Sequence, residues 1–469
     1  MKIAACLGLA LLVLLPHSRA EGASSNESKL RELALKKFPT FTFTETEKKL
    51  FQAVANGELV DYSDESGKNN NPKDANQWDE KRVIKAELIA WLCTDKKASE
   101  MVTHQGLWIK GARIDTELNL EFSVIPFPLR FEKCAFRGGI NLRYAEIQYM
   151  ELSGTRTNYI DGGGLKVKDS LYLRKGFYSD GKVRLYGATI DKYFVWTDAY
   201  SSMLDLRSAS VGTLYDQAKS WLPKQYELHG FIYKAIDKKA ETAFEKKKPG
   251  KKYSIFFDKK EIGLKRRIEW LGGQLNFSSQ PYEQLAEVFR KSGKVEDAKE
   301  ILIAKNKDLR KHNKSTWSKK YWYYVLGPMI GYGYRPLNAL WILGAFIAFG
   351  MILFGIGYQK GLITPQRGSA YIQRHTGIVI PFDNDRQLSD IYPKFNFLMY
   401  SFDAFVPLID LHQAKYWLPN ANRGPELLNI SGFGLHTGGL LRFYLWIHII
   451  MGWLLTTLLI VGLSGLIRT

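Results

Sequence analysis

Residues 165–190 read LKVKDSLYLRKGFYSDGKVRLYGATI. Apolar residues come in short alternating pairs, Leu165/Val167, Leu171/Leu173 and Val183/Leu185, separated by Gly, Asp and Ser, and the stretch ends on Ala188-Thr-Ile190. Alternation is a strand signal, because successive side chains of an extended chain point to opposite faces. The same dashes recur at Leu118/Leu120, Ile140/Leu142 and Leu204/Leu206, and the triplet Ala-x-(Ile/Val) at Ala112-Arg-Ile114, Ala145-Glu-Ile147 and Ala209-Ser-Val211. Ala145 to Ala188 is 43 residues and Ala188 to Ala209 is 21, a period near 21 with one coil between. The 33-residue gap between Ala112 and Ala145 breaks the register, and Pro126 and Pro128 within it suggest an inserted corner.

A period near 20 residues built of two-residue apolar dashes predicts a β-solenoid, in which each coil buries its inward side chains only by stacking on the next. Small residues suit the tight interior. Cys134-Ala-Phe136 fits the same slot, so Cys134 reads as core rather than reactive thiol. Gly162-Gly-Gly164 falls at a corner, where glycine serves the turn. A β-sandwich of irregular short strands is the alternative. Over about 105–216 the chain resembles degenerate pentapeptide-repeat proteins, whose right-handed β-helix makes a coil from four five-residue sides. The strict five-residue run is absent here.

Outside the repeat the pattern is helical. Leu50, Phe51 and Val54 share a face, and Val83, Ile84, Leu88, Trp91 and Leu92 approach helical spacing, so residues 21–104 read as a helical N-terminal cap. Residues 217–275 read as a basic linker carrying the insertion 234–267. In 276–336, Tyr282, Leu285, Ala286, Phe289, Gly293, Ala298 and Leu302 follow one tetratricopeptide-like hairpin with Gly293 at its turn. A lone hairpin cannot build a superhelix, so it reads as a bracket joining solenoid and membrane, with peptide capture as the alternative.

Three apolar stretches place the chain. Ile3–Leu15 is too short to cross a bilayer core of about 30 Å. Following Lys2 and preceding Ser18-Arg19-Ala20, it predicts a signal peptide over 1–20, an uncleaved signal anchor being the alternative. Leu337–Tyr358 and Phe443–Ile467 are long enough to span, which makes 337–469 a two-helix transmembrane module. Trp317 and Tyr321–Tyr324 form an aromatic belt before it. Gly344 and Ala348 form a small-xxx-small pair that would admit a second helix, so a homo-oligomer is open. Between the spans, Phe395–Leu411 is strongly apolar and either lies in the interface or dips in as a re-entrant segment. It carries Asp403 and Asp410, seven apart and so on one face if helical. His448 is the one ionisable side chain well inside either span, a functional candidate by default, although an interfacial place beside Trp446 is equally open.

The net charge of +19 is concentrated: Lys234–Arg335 holds 25 Lys/Arg against 12 Asp/Glu. Because this block runs into a span, anionic lipid headgroups explain it more simply than nucleic acid, which is not expected as a partner. Signal cleavage would put 21–336 outside the cytoplasm. The positive-inside bias points the other way, but long domains translocate largely regardless of charge, and a cytoplasmic solenoid is the alternative. Two cysteines survive signal removal, Cys93 and Cys134, and allow one disulfide.

The eight histidines form no ligand pair, and P-loop, nucleophile-elbow and dinucleotide fingerprints are absent. No catalytic residue, metal or cofactor is therefore expected. The whole arrangement, with Gln280-Pro-Tyr-x-x-Leu-Ala286, Gly331–Pro336 and Trp453–Arg468, resembles a bacterial membrane protein family with a pentapeptide-like region and two C-terminal spans. That resemblance implies residence in the bacterial inner membrane. Members are sometimes labelled membrane-associated oxidoreductases, and no catalytic residue carries over. The expectation is a membrane-anchored extracytoplasmic binding or scaffold protein with an unidentified protein partner. The alternatives are a two-span channel or transport oligomer using Asp403, Asp410 or His448, and an oxidoreductase by resemblance alone.

Overall fold

The computed structural model describes residues 17–40, 42–67, 69–236, 263–312, 327, 329–366, 371–373, 386–388, 392–430 and 433–464. The signal stretch Ile3–Leu15, the aromatic belt at 317–324 and most of the 234–267 insertion lie outside the described residues. The chain divides into two compact units, Met1–Lys305 and Asn306–Thr469.

The first unit is a β-solenoid of about six turns. Parallel pairing stacks each coil on the next along four sides. On the first side Leu107 pairs with Leu129, then Met150, Leu171, Phe194 and Leu214. On the third, Leu118 is followed by Ile140, Ile160, Val183, Leu204 and Tyr226. All twelve side chains point inward and are buried. Each Leu, Ile or Phe so buried contributes about 1.5–3 kcal/mol, which a lone coil could not collect.

Two sequence expectations need correction. Val124-Ile125 pairs with Glu146-Ile147 on the fourth side, so Ser123 fills the slot one coil before Ala145. Ala112 belongs to the second side, in line with Cys134 and Thr155. No corner is inserted; the small-x-large triplet occurs on two sides, and comparing across them produced the 33-residue gap. The ladder also continues past Asp216, through Tyr226-Glu227 and Ile232–Ile236. The lysines beyond it and the sparser dashes hid this last coil.

The corner between the third and fourth sides takes a left-handed residue in every coil: Phe122, Tyr144, Gly164, Gly187, Ser208 and Gly230. Gly164 fits here for the reason the sequence suggested. Phe122 and Tyr144 bear the strain of a side chain in this region, about 1–2 kcal/mol each, and stack with ring centroids 5.2 Å apart.

Both ends of the solenoid are closed, as a stack with exposed terminal coils requires. At the N-terminal end lie α1 (His17–Lys37), α2 (Glu45–Asn56), α3 (Ala86–Thr94) and α4 (Lys96–Met101). Leu88, Ile89 and Leu92 of α3 are buried, and α3 packs against the Leu118–Asn119 and Val124–Ile125 strands. Val83 and Ile84 are not helical as their spacing suggested: they run extended beside Arg113. At the other end lie α5 (Leu264–Gly272), α6 (Gln280–Lys291) and α7 (Val295–His312). The buried Asp216–Arg267 pair is bidentate, at 2.7 and 2.8 Å, and Trp221 Nε1 donates to Asp216 at 2.7 Å. Gln280 accepts from Gly230 N at 2.9 Å and Gln284 donates to Tyr233 O at 2.7 Å. The Gln280–Ala286 motif thus satisfies edge groups of the last coil, while Tyr282, Leu285 and Ala286 fill the hydrophobic seam.

The second unit is built on α8 (Asn338–Gln359) and α11 (Thr437–Ser464), both long and apolar enough to cross a membrane. They run antiparallel: Gly357 meets Leu441, Gly350 meets His448, and Gly462 meets Pro336. Between them in sequence lie α9 (Phe397–Phe405) and the short α10 (Gln413–Tyr416), and α9 packs on both long helices.

Candidate functional site

Three of the residues singled out from sequence meet around α9. Asn396 caps this helix, accepting from Leu398 N and Met399 N at 3.1 and 3.0 Å. Its entry is packed by aromatic rings: Phe395 stacks on Tyr358 at 4.5 Å and contacts Trp417 at 5.5 Å. From there α9 runs alongside α8 in the opposite direction. Tyr400 meets Phe354, Ser401 Oγ donates to Ile347 O at 2.8 Å, and Phe405 stacks on Phe346.

His448 stands opposite this helix, fully buried and facing Gly350 midway along α8. His448 thus faces the neighbouring helices and not the outer surface of α11. Its Nε2 lies 3.1 Å from Ser401 O and 3.3 Å from Ser401 Oγ, and Tyr444 OH lies 3.2 Å from Nδ1. The rings of Phe354 and Phe405 close over it. A Cβ at Gly350 would come within 2.5 Å of Ser401 Oγ and 2.6 Å of His448 Cε1, and one at Gly452 within 1.8 Å of Phe405 O. Glycine at both positions lets α9 seat between the long helices. The residues that sequence reasoning missed are thus Ser401, Gly350 and Gly452, whose partners lie about 50 to 100 residues away in the chain, and Tyr444, one helical turn before His448.

Asp403 and Asp410 do not share a helical face. The helix ends at Phe405, before Pro407, because proline offers no N–H and restricts the residue preceding it. The chain then doubles back. Asp403 accepts from Leu411 N at 2.6 Å and Ala414 N at 2.8 Å, pinning the returning leg to α9. Gln413 Oε1 accepts from Asn396 N, and Trp417 Nε1 donates to Pro393 O, closing the hairpin at its mouth. Asp410 lies on the returning leg, half-exposed, accepting from His412 N and paired with Lys415 at 2.5 Å. His448, Asp403 and Asp410 therefore brace one hairpin, 392–417. Only Asp410 faces outward.

Cys93 and Cys134 are both buried and free, so the disulfide allowed by sequence does not form. Burial raises both thiols far above their ordinary range, to about 12 for Cys134, which makes them poor nucleophiles at neutral pH.

On the solenoid, the 72–77 strap runs over the second side, held where Arg113 donates to Ala75 O and Trp78 O at 3.1 and 2.9 Å. Beside it opens a groove of about 360 Å3 lined by Lys73, Asn76, Arg137, Arg156, Asn158 and Asp180. Arg156 is paired with Asp180 and lies over Tyr178, whose ring stacks on Tyr200 at 4.5 Å. Sequence reasoning could not find this groove, since its lining comes from a strap and three successive coils. Among the described residues no cluster of three or more His, Cys, Asp or Glu side chains is placed to hold a metal ion. Comparisons with protein-family models, curated proteins and solved structures find no match to this chain.

Proposed function

We propose that this protein is a membrane-anchored binding scaffold: α8 and α11 cross the bilayer, and the capped solenoid offers its sides to a partner. The observation that carries the reading is the closure of both solenoid ends by helices, which leaves the lateral surface, and in particular the groove beside the 72–77 strap, as the accessible part. Two of the titratable residues singled out from sequence also have structural occupations, since His448 is engaged by Ser401 and Tyr444, and Asp403 by Leu411 N and Ala414 N. With a signal peptide removed, the solenoid would lie outside the cytoplasm of a bacterial cell, and the basic residues of 234–335 would favour anionic headgroups. The resemblance to a family labelled oxidoreductase adds no cofactor-binding residue to this reading.

A photoreactive amino acid at Arg137 or Lys73 tests it, with Lys166 on the fourth side as control. The reading expects adducts from the groove positions in intact cells. Equal or no adducts at all three positions would count against it.

A second reading, transport by an oligomer, draws on the hairpin. If α8 spans the bilayer, 392–417 enters from the Tyr358 end, turns within the membrane and returns, which makes it re-entrant.

A further inference from the structure

We infer that the tip of the 392–417 hairpin is completed by a second copy of this chain, packed against the hairpin side of α8. The inference rests on the membrane reading above. Ile347, whose carbonyl holds Ser401, is eleven residues from Tyr358, about 16 Å along the helix and so near the middle of a core about 30 Å thick. Asp403, two residues beyond Ser401, ties Leu411 and Ala414 to α9 just below this level. The non-helical backbone of 406–412 therefore lies at membrane depth. Its outward surface combines Leu408, 72% exposed, with the side chains of Asp410 and His412, 52% and 60% exposed, and Lys415 of α10 reaches back to pair with Asp410. Acyl chains cannot cover such a surface. Irregular backbone and ionisable side chains at this depth are tolerated where protein or a water-filled cavity adjoins them.

A separate observation points to the occupant. Gly350, Gly357, Gly452 and Gly462 are each filled against by a neighbour, but a Cβ at Gly344 would meet nothing within 4 Å. Gly344 lies eleven residues, three turns, from Gly355, whose Cβ would touch Phe397 of α9. Gly344 and the exposed Ala348 thus lie on the hairpin side of α8, around and beyond the level where α9 ends. A small-xxx-small surface left open beside a charged tip suits a helix of a second copy. The chain's own 367–391 segment is a poor substitute, because it carries Arg367, Arg374, Asp383, Asp385, Arg386 and Asp390. Apposing two copies here gathers both charged tips away from lipid, leaving Asp410, His412 and Lys415 to line a shared polar seam.

The test is oxidative crosslinking of the full-length chain in carbonate-washed membranes, with Ile409→Cys at the tip and Phe443→Cys on the outer face of α11. Cys93 and Cys134 are buried and stay silent, and Cys6 is replaced by Ser in both variants. The inference expects a disulfide-linked species of twice the chain mass from Ile409→Cys and none from Phe443→Cys, and about a tenfold loss of it when Gly344→Leu is added. Monomer from Ile409→Cys in protein that resists carbonate overturns the inference and leaves the membrane reading standing. An adduct whose mass is not a multiple of the chain overturns it in favour of a foreign partner. Release of the protein by carbonate overturns both.

Discussion

Arg267→Ala should unfasten the C-terminal end of the solenoid before anything else. The Arg267 and Asp216 side chains are 2% and 1% exposed and joined by two hydrogen bonds. Removing the guanidinium leaves Asp216 buried with Trp221 Nε1 as its remaining side-chain donor. Breaking a buried pair from one side costs about 3–5 kcal/mol, chiefly through the stranded charge. With an m-value of about 4 kcal/mol per M for a unit of this size, the urea midpoint of the detergent-solubilised chain should fall by about 1 M. Trp196, Trp221 and Trp270 cluster around the pair, so tryptophan fluorescence reports the transition directly. Stacked coils interact with their neighbours, so the damage should be polar along the axis. Amide exchange should accelerate over Leu204–Ile236 and remain near wild type over Leu107–Glu132. The double variant Asp216→Leu with Arg267→Met should recover most of the loss, because it strands no charge. A midpoint shift under about 0.2 M, or a double variant as damaged as the sum of its singles, would refute the reasoning.

Three further outcomes follow from the same physics. Burial opposes ionisation of Glu151, but hydrogen bonds from Ser153, Arg174 and Tyr149 outweigh it and hold the carboxyl below its usual range. Its stabilisation is therefore present above the unfolded pKa of about 4.3 and lost as pH falls through the lower folded value; Glu151→Gln should flatten the stability profile below about pH 4 and cost about 1–3 kcal/mol at pH 7. Gly452→Val should prevent α9 from seating, since Phe405 O already lies 1.8 Å from a Cβ there, and gel filtration in detergent should show loss of the native peak. Leu185→Ala, in the inward third-side stack, should cost about 2–5 kcal/mol by urea unfolding, whereas Lys182→Ala outside the stack should stay within about 0.5 kcal/mol.

The solenoid was legible because its signal is local and repeated. Leu118/Leu120, Ile140/Leu142 and Val183/Leu185 turned out to be rungs of one side, and inward burial imposes the same two-residue alternation on each of these coils. Side assignment was not legible, because Ala112-Arg-Ile114 and Ala145-Glu-Ile147 look alike although they lie on different sides. Only pairing partners one coil away tell them apart. The two apolar helices were readable from length alone. The hairpin between them was half readable: its apolar run and its two carboxylates stood out, but Pro407 ended the helix between Asp403 and Asp410. The role of His448 needed Ser401, 47 residues earlier, and that contact has no local trace.

The central claim is that α8 and α11 anchor the chain with the solenoid outside the cytoplasm. Paired alkaline phosphatase and fluorescent-protein fusions after residues near 300, 400 and 469 test it most directly. The account predicts phosphatase activity at 300 and 469 and cytoplasmic fluorescence at 400. The inverse pattern would put the solenoid in the cytoplasm, and one pattern shared by all three positions would contradict two membrane crossings.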